Sequence, residues 1–343
     1  MKKILIVTPV PHDSTSLYRA FGVFQNLKKH ADIELVNLAG NPSVTWVDLI
    51  QADILFMHRP FQPAQLSLAQ YCRKLGKPLW VDFDDDLLHV PDHMTFAPIY
   101  QNPENINALV ECTKMADVVT VTTTGLRDVY SKINPNVQII PNALNDDLFG
   151  KMRETIPEND EKIVGWRGSE THFMDLMVHA DAINAAIQST RGQKKATIIN
   201  IRSGKNMVKP WEWVFMGFRP FFINGIKHVP VSDPMPYFEN IRRINPKIMM
   251  VPLIDNTFNR CKSNINAIEA YFSGAVPLVP DWPEWNVPGA VKYKNPAEFG
   301  ALLDALIRGD YKLEQRVAEG WNWVWENRLS VTNIKRAEIL KNI

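Results

Sequence analysis

The stretch NRCKSNINAIEAYFSGAVPLV, residues 259–279, decides how this chain is read. It follows the apolar run IMMVPL over 248–253, which has the composition of a buried strand, and a polar loop over 255–260. Ser263 is then placed to cap a helix whose first N–H groups have no partner inside the helix. Gly274 stands where such a helix should stop, and 276–279 reads as the next strand. Strand, loop and helix N-terminus together make an anion site, because the N–H groups and the helix dipole favour phosphate. Lys262 stands at that N-terminus. Glu269 lies almost two turns later and returns to the face of Lys262 and Asn266. Ile265, Ile268 and Phe272 supply the neighbouring apolar stripe for packing on a sheet. A cation, a helix start and a carboxylate on one face suit a ligand with phosphate at one end and hydroxyls at the other, and a nucleotide sugar has that form.

The segment resembles the donor-binding segment of glycosyltransferases of the GT-B fold, in particular the family-4-like members (glycosyl transferases group 1). The residues that carry the resemblance are Asn259, Lys262, Ser263, Glu269, Gly274 and Pro277. It implies an α/β chain of two Rossmann-like, doubly wound domains facing a cleft. One position departs: many of these enzymes place a second glutamate eight residues before the helix glutamate, and here that residue is Cys261.

The N-terminal half alternates strand and helix. Strands are expected over 3–8, 33–38, 54–57, 79–83, 118–122 and 137–140, with helices over 17–29, 63–75 and 126–133. Such alternation gives right-handed crossovers and a mostly parallel sheet, whose ligands gather at the carboxyl ends of the strands. His58 and Arg59 stand at one such end, and the run DFDDDL over 82–87 at another. Tyr18-Arg19 resembles a Tyr-Arg pair on the family's first helix, which places Arg19 with His58 and Arg59 on the acceptor side. The segment 116–126 and the run IPNAL over 140–144 resemble the close of the family's first domain, before a charged linker over 145–161.

The acidic run supports three readings. Four carboxylates after a strand, with His89, Asp92 and His93 nearby, suit a divalent cation. The resemblance instead implies that Asp84 and Asp85 act in the interdomain cleft, orienting the acceptor or stabilising positive charge at the reacting carbon. Acidic decoration of a helix N-terminus is the third. The expectation is no metal.

The second half opens with KIVGWRGSETHFMDL, residues 162–176. A short strand enters a Gly-flanked turn, where Gly168 permits close backbone approach and Ser169 or Thr171 can cap the following helix. Arg167 is placed to grip phosphate bidentately. His172 either approaches the diphosphate or packs on the helix. The segment is similar to the family's Gly-x-x-Gly-Ser-x-x-His-x-x-Asp-Leu entry to the donor domain. The dinucleotide fingerprint G-x-G-x-x-G is absent, which disfavours a nicotinamide enzyme. A strand is expected over 196–201, running into a basic turn over 202–205 with Arg202 toward the donor. The aromatic stretch 209–222 reads chiefly as buried packing. The segment 229–238, starting at Val229, resembles the family segment beside the nucleotide base. Helices over 299–306, 313–329 and 331–341, the last capped by Ser330, complete the chain.

Composition bounds the rest. The chain has 343 residues, a net charge of +1 and three scattered cysteines. That length gives about two domains, and that charge selects neither nucleic acid nor acidic membrane. Neither a disulfide framework nor zinc spacing is present, which fits the cytoplasm. No apolar run approaches the ~20 residues of a membrane span, which leaves peripheral membrane contact open. The expected division is 1–150 on the acceptor side, 160–325 for the donor, and 326–343 as a helix returning to the first domain.

The resemblance implies a hexosyl- or pentosyltransferase that moves a sugar, with retention, from a nucleotide-diphosphate donor to a glycan, lipid-linked or small-molecule hydroxyl, with no cofactor. Asp84, Asp85, Arg167 and Lys262 are the expected catalytic residues. Gly168, Ser169, His172, Arg202, Val229, Asn259, Ser263 and Glu269 are the expected donor contacts. Two alternatives are transfer to a modified DNA base, with 191–228 toward nucleic acid, and a non-catalytic sugar-nucleotide-binding protein on the same scaffold.

Overall fold

The computed structural model describes residues 1–40, 46–157, 161–202 and 209–343, with the backbone alone over 192–202. The chain divides into two compact units. The first takes 1–151, 256–263 and 326–343; the second takes 152–255 and 264–325.

In the first unit, β1 (Lys2–Thr8), β2 (Ile33–Gly40), β3 (Ile54–His58), β4 (Leu79–Phe83), β5 (Val118–Val121) and β6 (Val137–Ile139) form one parallel sheet. Their order is β2-β1-β3-β4-β5-β6. Strand residues alternate between two apolar layers, as a period of two requires. Ile4, Ile6, Ile54 and Phe56 join one cluster with Phe24, Leu27, Leu329 and Leu340. Leu5, Val7, Leu55 and Met57 join the other with Leu68, Leu109 and Leu126. Helices thus cover both faces, which is why these strands read as unbroken apolar runs.

Several local expectations change. The helix expected over 17–29 is two, Ser14–Arg19 and Phe21–Leu27, broken at Ala20 (φ −124°, ψ −98°). Arg19, just before the break, is held by Asp82 and the Ile140 carbonyl, and these tethers override helical continuity. The helix Pro103–Met115, capped by Asn102 with proline at its first position, was not expected. The linker stretch begins as folded structure: Asp146–Phe149 is helical, Asn145 caps it and Phe149 is buried. Ser330 is not a cap. The last helix starts at Leu329, and the Ser330 N–H and hydroxyl both donate to Asp146.

In the second unit, β7 (Ile163–Gly168), β8 (Glu212–Gly217), β9 (Lys227–Val229), β10 (Ile248–Met250), β11 (Val276–Pro280) and β12 (Val291–Tyr293) form a second parallel sheet. Its order is β12-β11-β10-β7-β8-β9. Gly217 closes β8 with φ +98°, and an added Cβ there would lie 2.2 Å from the Gly168 carbonyl oxygen. Only glycine therefore lets the ends of β7 and β8 come this close. The strand expected over 196–201 is instead the last part of the helix Ala180–Arg202. No proline interrupts that helix, and extending one already nucleated adds a hydrogen bond per residue. The basic turn over 203–205 and the Arg202 side chain lie outside the described residues. Of the aromatic stretch, Trp213 and Phe215 are buried, whereas Phe221 is 80% exposed.

None of the three cysteines is in a disulfide, and all are buried. Among the described residues no helix is long and apolar enough to cross a membrane.

Candidate functional site

Each sheet has one place where the strand order reverses, and in open parallel sheets ligands bind beside it at the carboxyl ends of the strands. In the first unit it lies between β1 and β3. Thr8 and His58 end these strands and meet there, Oγ1 to Nδ1, at 3.1 Å. His58 Nε2 lies 3.1 Å from Asp84 Oδ1. Arg59 pairs with Asp84 through Nε and with Asp85 through Nη2, the latter at 2.7 Å. Arg59 holds φ +50°, the left-handed region that a non-glycine residue rarely adopts. Such strain persists where surrounding contacts fix it, and it clusters at functional sites. Lys262 Nζ lies 3.6 Å from Asp85 Oδ1 and sits over the Phe258 ring. His58, Arg59, Asp84, Asp85 and Lys262 thus form one cluster, partly open to solvent.

The four acids in and just after β4 do not converge. Asp82 points into the sheet and takes a bidentate contact from Arg19, at 2.9 and 2.6 Å. Asp84 and Asp85 face Arg59, while Asp86 accepts from the Leu88 N–H and contacts His89 Nδ1. Among the described residues no group of three or more His, Cys, Asp or Glu side chains is arranged to hold a metal ion. Arg19 is fully buried, and its donors go to Asp82, the Ile140 carbonyl and Asn142. It braces strand ends, through Asp82 and the Ile140 carbonyl, where His58 and Arg59 were expected as its neighbours.

Burial alone would raise the Asp84 carboxyl, but the Arg59 charge and the His58 hydrogen bond outweigh it and hold the group well below the usual carboxylate range. The folded-state value is thus below the unfolded one, about 3.9. The stability Asp84 contributes is present above that value and is lost as pH falls through and below it. Asp84→Asn is therefore expected to cost stability at neutral pH. Urea midpoints taken from pH 6 down to pH 2 should show the gap to wild type narrowing; a constant gap would deny the pairing.

In the second unit the order reverses between β7 and β10. Arg167, near the end of β7, pairs through Nε with Glu269 Oε2 at 2.7 Å. The Tyr237 hydroxyl donates to the same oxygen at 2.6 Å. Burial, then the Glu269 charge, push the Tyr237 phenol well above its ordinary value, so it stays a donor. Past Gly168, the Ser169 and Thr171 hydroxyls lie 2.7 Å apart, and Ser169 makes no side-chain cap. His172 Nδ1 lies 2.8 Å from Asp175 Oδ2. Val229 is the half-buried end of β9. Arg167, Ser169, His172 and Glu269 therefore belong to one unit, at or following strand ends or on the helix that leads to β11.

The deciding stretch itself needs correction. Its helix runs Ile265–Phe272, and Lys262 precedes it, so Lys262 and Glu269 do not share a helical face. Asn264 occupies the cap position without a side-chain cap bond and donates to the Glu284 carbonyl. Ser263 is no cap; its hydroxyl accepts from Asn142 Nδ2 at 2.9 Å. A short helix, Thr257–Arg260, absorbs the expected loop and buries Asn259. These turns draw 256–263 into the first unit. Gly274, with φ +84°, ends the longer helix as expected. Asp175 lies in the His-x-x-Asp-Leu segment, whose i,i+3 spacing is the signal for its contact with His172; the partners of Tyr237 and Thr8 have no such local signal.

No family model matches this chain, and no curated protein matches it. Solved structures do. HepE of Anabaena in complex with UDP-glucose aligns with a TM-score of 0.66 at 11% identity, over 100% of both chains. A UDP-forming trehalose-phosphate synthase from Burkholderia xenovorans aligns with a TM-score of 0.64 at 14% identity, over 100% of this chain and 99% of that one. A UDP-GlcNAc 2-epimerase from Methanocaldococcus jannaschii aligns at 0.51 and 12%, over 100% of both. Identities this low speak to architecture, and the architecture is that of the glycosyltransferases among them: the chain has the GT-B fold.

Proposed function

We propose that the protein is a glycosyltransferase that uses a nucleotide-diphosphate sugar. The observation that carries this reading is the second unit's strand reversal. Arg167 and Gly168 close β7 there, Ser169 and His172 follow it, and Glu269 pairs with Arg167. Guanidinium and turn N–H groups suit a diphosphate, and a carboxylate suits the ribose hydroxyls. HepE, of the same fold, was solved with UDP-glucose, which supports a nucleoside-diphosphate ligand. Transfer breaks the bond from the anomeric carbon to the phosphate oxygen. The diphosphate leaves with the electron pair, and a hydroxyl oxygen of the acceptor takes its place on the carbon while its proton is released with the diphosphate. Arg167 meets the charge that grows on the leaving group. Asp84 and Asp85, with His58, Arg59 and Lys262, form the acceptor-side cluster of the first unit. The acceptor is a hydroxyl compound, and the reaction is a hexosyl or pentosyl transfer.

The test is a panel of UDP-, GDP-, ADP- and dTDP-sugars, followed by thermal shift and by release of the nucleoside diphosphate. One donor is expected to stabilise the protein by about 2.7 kcal/mol at a hundredfold excess over Kd and to be turned over. Turnover is expected to persist in EDTA, since protein cations neutralise the leaving group; loss of activity rescued by Mg²⁺ or Mn²⁺ would refute that. Tight binding without turnover, with any hydroxyl acceptor, would make the protein a binding module. Failure of all four nucleotides to bind would end the donor reading.

A further inference from the structure

The buried carboxylate of Asp175 has no part in the function proposed above, yet its two oxygens join both strands of the second reversal point. Oδ2 faces His172 Nδ1 at 2.8 Å, just beyond the end of β7. Oδ1 accepts the Ile254 N–H at 2.8 Å, just beyond the end of β10. The residue is 3% exposed, and the His179 ring donates through Nδ1 to its carbonyl at 2.7 Å. The Trp166 ring lies edge-on to the His172 imidazole, with centroids 6.4 Å apart. The His172 ring is thus fixed in place by a carboxylate and an indole.

We propose that Asp175 is a positioning residue for His172 in donor binding, a role that rests on the donor reading given above. An ionised carboxylate only accepts hydrogen bonds, so the imidazole nitrogen facing it carries a proton. Which nitrogen of a histidine is protonated is set by the bond the other makes. With Nδ1–H held by Asp175, His172 addresses its ligand through Nε2. In the imidazolium form, Nε2–H donates to a phosphate oxygen of the nucleoside diphosphate beside Arg167 and the Gly168–Ser169 turn. The same carboxylate pins Ile254, so it keeps the His172 ring in register with the end of β10.

The experiment uses the full chain and measures affinity for UDP, GDP, ADP and dTDP. Asp175→Asn is the informative variant. Its amide oxygen still accepts from the Ile254 N–H, while its NH₂ presents a donor to His172 Nδ1, so Nδ1 no longer carries a proton and Nε2–H meets the phosphate from a neutral ring without the imidazolium charge. Asp175→Asn and His172→Ala are each expected to weaken binding of the preferred nucleotide by about tenfold, the low end for a hydrogen bond to a charged group. In the His172→Ala background, Asp175→Asn should change affinity by less than about twofold, because the carboxylate acts through the ring. A merely structural role would instead give two losses that multiply, which overturns the proposal while leaving the donor reading intact. If wild type binds none of the four nucleotides, the donor reading fails and this role with it. ¹⁵N NMR of the His172 ring in the ligand-free wild-type protein gives an answer independent of any variant's folding. Protonated Nδ1 is expected, and an unprotonated Nδ1 would refute the geometry.

Discussion

Asp82→Asn is expected to destabilise the protein by about 3–5 kcal/mol, the cost of breaking a buried ion pair from one side. Asp82 is 1% exposed and holds Arg19 by two hydrogen bonds, and the Thr120 hydroxyl donates to it at 2.5 Å. A second buried cation feels the charge of the same carboxylate. Arg336, on the helix Leu329–Asn342, is 2% exposed. Burial and then the Arg19 charge push it down to about 9, with Asp82 opposing. Asparagine keeps the shape of Asp82 but removes a negative charge that favours both guanidiniums. A loss of that size is a large part of the 5–15 kcal/mol that holds a typical domain together. Urea denaturation measures it. Arg336→Met in the Asp82→Asn background should restore part of the loss, since it removes one of the two unbalanced cations. A loss below about 1 kcal/mol for Asp82→Asn would place it with ordinary surface changes and deny the network.

That network also shows what could and could not be read from the sequence. The strands were legible because both faces of each sheet are covered, so Ile4 to Val7, Ile54 to Met57 and Ile248 to Met250 form unbroken apolar runs. The carboxyl ends of those strands were legible with them, and so were His58, Arg59 and Arg167. Partners were not. Arg19 and Asp82 stand 63 positions apart, and no local pattern reports that they meet. The helix Ala180–Arg202 ends in β-branched residues whose local preference is for strand, and cooperativity with the preceding turns decides otherwise. Ser263 has the chemistry of a cap, but its hydroxyl is engaged by Asn142, far away in sequence. The backbone turns at 256–263 set Lys262 beside Asp85, a pairing that no local pattern reports.

Arg167→Ala is expected to lower turnover by about 10²–10³-fold, the usual result of removing one donor from a group that meets developing charge. The guanidinium is held by an ion pair. Glu269 Oε2 holds Nε at 2.7 Å, and Tyr237 holds the same oxygen, so Glu269 is fixed before Arg167 is. A prearranged cation does not reorganise when the sugar–phosphate bond breaks, and its interaction strengthens as negative charge gathers on the diphosphate. The loss should therefore fall mainly on kcat, with a smaller rise in KM. Lysine cannot replace the fork that reaches Glu269 and phosphate at once, so Arg167→Lys should recover less than about tenfold of the loss. Glu269→Gln keeps the acceptor for Tyr237 and removes the charge opposite Arg167. It should cost about tenfold in donor affinity, in line with one hydrogen bond to a charged group. Steady-state release of nucleoside diphosphate from the preferred donor measures all three variants. If Arg167→Ala raises KM and leaves kcat untouched, Arg167 binds ground state and transition state alike, and the leaving-group charge must be met by another residue.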